Sequence, residues 1–131
     1  MQDFDTQHVS DAPEVPAPDG SAVRPMCTIP DAGSAALFEL APDQVSTAVS
    51  HATVQEIWYI VGGSGQMWRK QGGREQTVDL TPGTCLTIPL GTTFQFRADD
   101  HGLRAFGVTM PPWPVDSPDE ARTETGPWDA T

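Results

Sequence analysis

The residues of this chain best suited to chemistry are His51 and Glu56. His51 closes the β-rich run STAVSHA, and Glu56 opens EIWYIV, the most apolar stretch in the sequence. Alternate side chains of a strand share a face. Glu56, Trp58 and Ile60 therefore look one way, and Ile57, Tyr59 and Val61 the other. A carboxylate beside Trp58 and Ile60 on a buried face is costly unless it is paired, protonated or bound to a ligand. An imidazole and a carboxylate enclosed in apolar surroundings have their pKa values pulled toward neutrality, which suits them to proton transfer. Plainer readings exist for each residue alone: Glu56 at a solvated rim, and His51 as an ordinary hydrogen-bonded histidine.

The elements that must position this pair have period two, not 3.6. The candidate strands are 36–40, 46–52, 56–61, 66–70, 76–80, 85–89, 93–98 and 103–110. Turn-like separators lie between them, among them Gly62-Gly63-Ser64-Gly65, read as a hairpin turn, and Asp99-Asp100-His101-Gly102. No window supports a long amphipathic helix. Many short strands at regular spacing predict an all-β sandwich or barrel. Phe94 and Phe96 share one face of their strand, opposite Gln95 and Arg97, and Arg97 is expected to face outward. Both faces of EIWYIV are apolar, so its outer face calls for cover by a second sheet, a tail or another subunit.

The stretch SHATVQEIWYIVGGSG resembles the first motif of the cupins, with His51, Glu56 and Gly63 at the positions of its second His, its Glu and its Gly. GTCLTIPLGTTFQF resembles the second motif, through Gly83, Pro89 and Gly91. The resemblance covers about residues 35–113. It implies a cupin-type β-barrel or jelly roll with the site inside. In cupins three histidines and a glutamate usually hold Fe, Mn, Ni or Zn. Here Val49 stands at the first His position, Phe94 at the His of the second motif and Ala98 at its Asn. Only His51 and Glu56 remain as ligands if a metal is present, and catalytic sites normally use three protein ligands. The expectation is a site without metal or other cofactor, the alternative being a divalent metal held with an unusual extra ligand. Gln55 and Gln95 are poor substitutes, and His8 and His101 fall in expected loops or tails.

The resemblance then implies a small-molecule site in which His51 and Glu56 are catalytic. Val49, Trp58, Trp68, Phe94, Phe96 and Thr109 are expected to bind substrate, although alternation does not decide between Met67 and Trp68 for the interior. Replacing ligands by Val49 and Phe94 suggests a widened dry cavity for an aromatic or polyketide-like molecule. Cupins include isomerases, cyclases and lyases as well as dioxygenases. An acid/base isomerisation, cyclisation or elimination is the reading adopted, against a non-catalytic binding module and a metal-dependent enzyme. A homodimer is expected through the Ile57-Tyr59-Val61 face. Arg69 and Arg97 could clamp a carboxylate, and Cys85 reads as a buried inert thiol.

With 131 residues and two cysteines, the chain reads as one domain with no disulfide framework. The net charge of -11 is unevenly placed. Residues 1–20 form an acidic arm of disordered composition, with five acids and no Lys or Arg; residues 21–115 form the barrel, with eight acids and six bases. Residues 116–131 form a second acidic arm, and the proline-rich segment 111–128 with Trp113 and Trp128 is expected to lie back on the barrel. This balance argues against nucleic acid and anionic membrane as partners. The N-terminus has no signal-peptide pattern and no apolar run has the length of a membrane span, so a cytoplasmic location with reduced thiols is expected.

Overall fold

The computed structural model describes residues 1–114 and 119–131. Among these residues nine strands form one sheet that curls into a barrel: β1 (Val15–Pro16), β2 (Ala22–Ile29), β3 (Gly33–Leu40), β4 (Val49–His51), β5 (Gln55–Gln71), β6 (Arg74–Leu80), β7 (Cys85–Ile88), β8 (Thr93–Met110) and β9 (Ala121–Thr123). Among the described residues the only helical element is a 3-10 turn at Val9–Asp11. The fold is all-β, as the period-two pattern predicts, and every pairing is antiparallel.

The expected breaks at 62–65 and 99–102 are not turns. β5 and β8 run through them and pair on either side, from Gln55↔Met110 to Gly63↔Leu103 and from Gly65↔Ala98 to Lys70↔Thr93, with residues 99–102 of β8 left outside this pairing. Both strands bend together, with register shifts at Ile60/Gly62 and Gly63/Gly65. The glycines make the bend possible. Gly63 has φ +70, and a Cβ there would collide with the Gly102 carbonyl; one on Gly65 would collide with the Arg97 carbonyl. Glycine-bearing bulges of this kind are how a sheet turns a corner without losing its ladder.

Three strands lie outside the expected set. β2 contains Pro25, which argues against a strand in sequence; the ladder accommodates it by a register shift between Pro25 and Thr28. β1 and β9 come from the arms. β1 pairs with β2 (Val15↔Val23), and β9 pairs with β4 (Val49↔Thr123, His51↔Ala121). The N-terminal arm is therefore partly built into the sheet. The expected boundary at 115/116 lies outside the described residues.

The barrel interior is filled by aromatic and aliphatic side chains. Trp58 stacks on Phe38, with ring centroids 5.0 Å apart, and meets Phe96 edge-on at 4.9 Å. Such pairs add to the area they bury. Gly107 lies opposite Trp58 in register, and a Cβ there would strike the Phe38 ring. On the outside, Ile57, Tyr59, Val61 and Phe106 are 39–48% exposed. Cys85 pairs with Tyr59 in register and is exposed, which corrects the buried thiol: β7 alternates Cys85 and Thr87 outward, Leu86 and Ile88 inward.

Candidate functional site

The structure brings His51 and Glu56 together. Both are buried, and His51 Nε2 faces Glu56 Oε2 at 3.2 Å. Glu56 Oε1 accepts a hydrogen bond from Trp58 Nε1 at 3.2 Å, so the carboxylate is held from both sides. Glu56 is placed by β5 alternation. His51 is placed by the short β4, clamped between β8 (Val49↔Phe94) and β9 (His51↔Ala121). The imidazole lies 5.5 Å from the Phe94 ring and meets Trp113 at a right angle, centroids 5.0 Å apart.

Sequence reasoning missed two carboxylates here, both carried by the arms. Glu120 is buried; it accepts from Thr53 N (3.0 Å), Thr53 Oγ1 (2.8 Å) and Val54 N (2.9 Å), fastening the β4–β5 loop. Its Oε1 lies 4.0 Å from His51 Nδ1, which is buried without a hydrogen-bond partner among the described residues. Asp19 is half-buried at the pocket and accepts from Ser21 N (2.9 Å) and Ser21 Oγ (2.6 Å). Burial raises the Asp19 pKa, the Ser21 hydrogen bonds oppose the rise, the Glu56 charge adds to it and His51 opposes it. The available signal for Asp19 was Asp19-Gly20-Ser21, a turn sequence whose Asx bond aims the carboxyl. Glu120 carried no signal beyond its place in an acidic tail.

Val49, Trp58 and Phe94 line the pocket with His51 and Glu56, as expected. Phe96 lies deeper, against Trp58. Thr109 is the register partner of Glu56, but its hydroxyl bonds Ser34 Oγ at 2.5 Å, and Ser34 Oγ in turn accepts from Trp113 N at 3.0 Å. Thr109 thus helps anchor Trp113 and does not line the pocket. Trp68 is not at the site. The register shift between Ile60 and Gly62 leaves one extra residue on β5 and inverts its parity, so Met67 enters the core while Trp68 faces the other way and donates to Glu75 Oε1 at 3.0 Å. Gln95 is buried beneath the C-terminal arm: its Nε2 donates to the Ser46 and Trp128 carbonyls, and its Oε1 accepts from Trp128 N. Arg97 faces out of the barrel, opposite Phe94 and Phe96, as expected; there it bonds Gln66 and lies 4.2 Å over the Trp128 ring of the C-terminal arm, which partly covers it. His8 and His101 are remote, the latter exposed on β8.

The pocket is small. Its cavity volume is about 20 Å³, room for about one water molecule. Phe94 fills space instead of widening it, and Ala17, Pro18 and Trp113 line the pocket beside the pair, so an aromatic or polyketide-like molecule does not fit the pocket at this volume. Nor do the residues fit a divalent metal. No group of three or more His, Cys, Asp or Glu side chains arranged for one occurs among the described residues. Glu120 is committed to backbone and Thr53, and Glu56 to Trp58 and His51.

No family model and no curated protein matches the sequence. Solved structures do. Oxalate decarboxylase from Bacillus subtilis is similar with TM-score 0.74 at 18% identity, over 94% of this chain and 33% of that one. The capsular polysaccharide assembling protein CapF from Staphylococcus aureus is similar with TM-score 0.69 at 14% identity, over 86% of this chain and 31% of that one. The chain thus spans about a third of the length of these proteins. Both have the cupin fold, and the fold is what the likeness establishes.

Proposed function

From the premise that this barrel has the cupin fold, we propose that it binds a small organic molecule against His51 and Glu56 and moves a proton on it without a metal. The fold supports an enzyme or a binder in general and names no substrate. The observation that carries the proposal is the state of the imidazole: Nε2 engaged by Glu56, Nδ1 buried and without a hydrogen-bond partner among the described residues. A buried polar atom without a partner is rare in a folded protein and calls for a ligand or water. With its proton on Nε2 toward Glu56, a neutral His51 offers Nδ1 as the base. Once protonated, the imidazolium is balanced by Glu56 and Glu120 on either side. Aromatic walls around the pair keep water out and strengthen these interactions.

Substrate reaches the pair when Ala17–Asp19 and Trp113, the arm residues above it, swing aside. Enolisation, cyclisation or elimination are the reactions within reach of one base and one carboxylate. A cytoplasmic location accords with the absence, among the described residues, of any helix long and apolar enough to cross a membrane.

The test is proton–deuterium exchange at carbon in a panel of small enolisable ketones and carboxylic acids, followed by NMR after dialysis against EDTA. Wild type should exchange above buffer, and His51→Ala and Glu56→Gln should each lose about a hundredfold or more. Absence of exchange by wild type, or unchanged rates in both variants, overturns the reading. The small cavity favours a second reading, a filled barrel that binds without catalysis. Saturable binding of a panel member, lost in His51→Ala but without exchange, would select it.

A further inference from the structure

A second concavity, of about 170 Å³, is lined by Arg69 and Gln71 of β5, Arg74 and Gln76 of β6, and Thr87 and Thr92 beside β7 and β8. Among the described residues no carboxylate lines it, in a chain with 18 acidic residues against 7 Lys and Arg. Among the described residues neither Arg69 nor Arg74 forms an ion pair, whereas Arg24 and Arg104 share Glu39. The nearest acid in sequence, Glu75, is on the opposite face: register sets Gln76 against Arg69 and Glu75 against Lys70, and Glu75 is taken by Trp68.

The donors here are already aimed. Arg69 Nη1 donates to the Thr87 carbonyl at 2.8 Å, and Nη2 to Gln76 Oε1 at 3.4 Å. That fixes the plane of the guanidinium and leaves its other N–H groups free. The buried Thr92 accepts from Gln71 Nε2 at 3.0 Å, so its own hydroxyl proton remains to be donated. Burial and the Arg74 charge both push the Arg69 guanidinium below its ordinary pKa. Two cations are thus held close without a counter-charge, an arrangement that a bound anion relieves.

We infer that this groove binds a small oxyanion, a carboxylate or phosphoryl group, held by the Arg69 fork and closed over by Arg74. The inference requires nothing of His51 and stands apart from the proton-transfer reading.

Calorimetric titration of the full chain at low ionic strength tests it, with inorganic phosphate in one arm, malonate in the other and chloride as the screening control. At least one oxyanion should bind saturably and one-to-one, and the arm that binds identifies the group as phosphoryl or carboxylate. Arg69→Gln and Arg74→Gln should each weaken binding about tenfold or more. Lys70→Gln, which removes the same charge from the opposite face of β5, should change it less than about twofold. Arg69 ties β5 to β7, so if Arg69→Gln fails to fold, Arg74→Gln, whose side chain makes no hydrogen bond among the described residues, decides alone. Heats no larger than those of chloride in both arms, or an equal loss in Lys70→Gln, overturn the inference.

Discussion

His51 is flanked by carboxylates from three parts of the chain, and no Lys or Arg lines its pocket. Asp19, beside His51 and Glu56, has its pKa raised, first by burial and to a lesser degree by the Glu56 charge. A carboxyl whose folded pKa lies above its unfolded value supports the fold fully below about 3.8 and loses that support as pH rises through the folded value. Asp19→Asn keeps an acceptor for Ser21 and removes the loss. In urea unfolding, its stability relative to wild type should therefore grow between pH 3.8 and neutrality. A difference that stays flat across that range contradicts the burial of this charge. His51 and Glu56 were legible because a motif spacing and a strand period coincide on them. Asp19 and Glu120 were not, because their roles depend on where two low-complexity arms land, and an acidic tail looks the same in water as on a barrel.

The elements show where alternation succeeds and where it stops. Glu56, Trp58 and Ile60 point inward and Ile57, Tyr59 and Val61 outward, as the period-two pattern predicts. Beyond Ile60 one residue of β5 is consumed without advancing the ladder, between Ile60 and Gly62, so odd positions such as Met67 face the core. A sequence period cannot count residues that lie outside the pairing, and this misplaced Trp68. The same feature separates two glycine substitutions. Gly63→Ala meets both φ +70 and the Gly102 carbonyl, while Gly72→Ala, at φ +58, meets nothing within 4 Å. Thermal and urea unfolding should show Gly72→Ala costing about 1 kcal/mol, and Gly63→Ala about 3 kcal/mol or more as left-handed strain and overpacking combine. Equal costs would mean that the corner does not require the close approach.

At the scale of the whole molecule, one side of the barrel remains apolar and open. Ile57, Tyr59, Val61 and Phe106 are each about two-fifths to one-half exposed, and clustered apolar surface on a folded chain is usually covered by something. The proposal is a homodimer through this face. Sedimentation should find a dimer at micromolar concentration and a monomer for Tyr59→Glu, and Cys85, the register partner of Tyr59, should react with a maleimide faster in the variant. A wild-type monomer would refute it. The cupin fold was legible at this scale because its glycine and proline skeleton survives where its metal ligands do not.

The pairing of β9 with β4 has a consequence for how this chain must be handled. β4 is three residues long and carries His51; β8 borders it on one side and the C-terminal arm on the other. Stripped of residues 119–131, it would become a margin of the sheet, its amides and carbonyls open to any foreign strand. Residues 119–131 thus shield this margin from foreign strands, and trimming or displacing them would threaten solubility as well as taking Glu120 and Ala121 away from the imidazole.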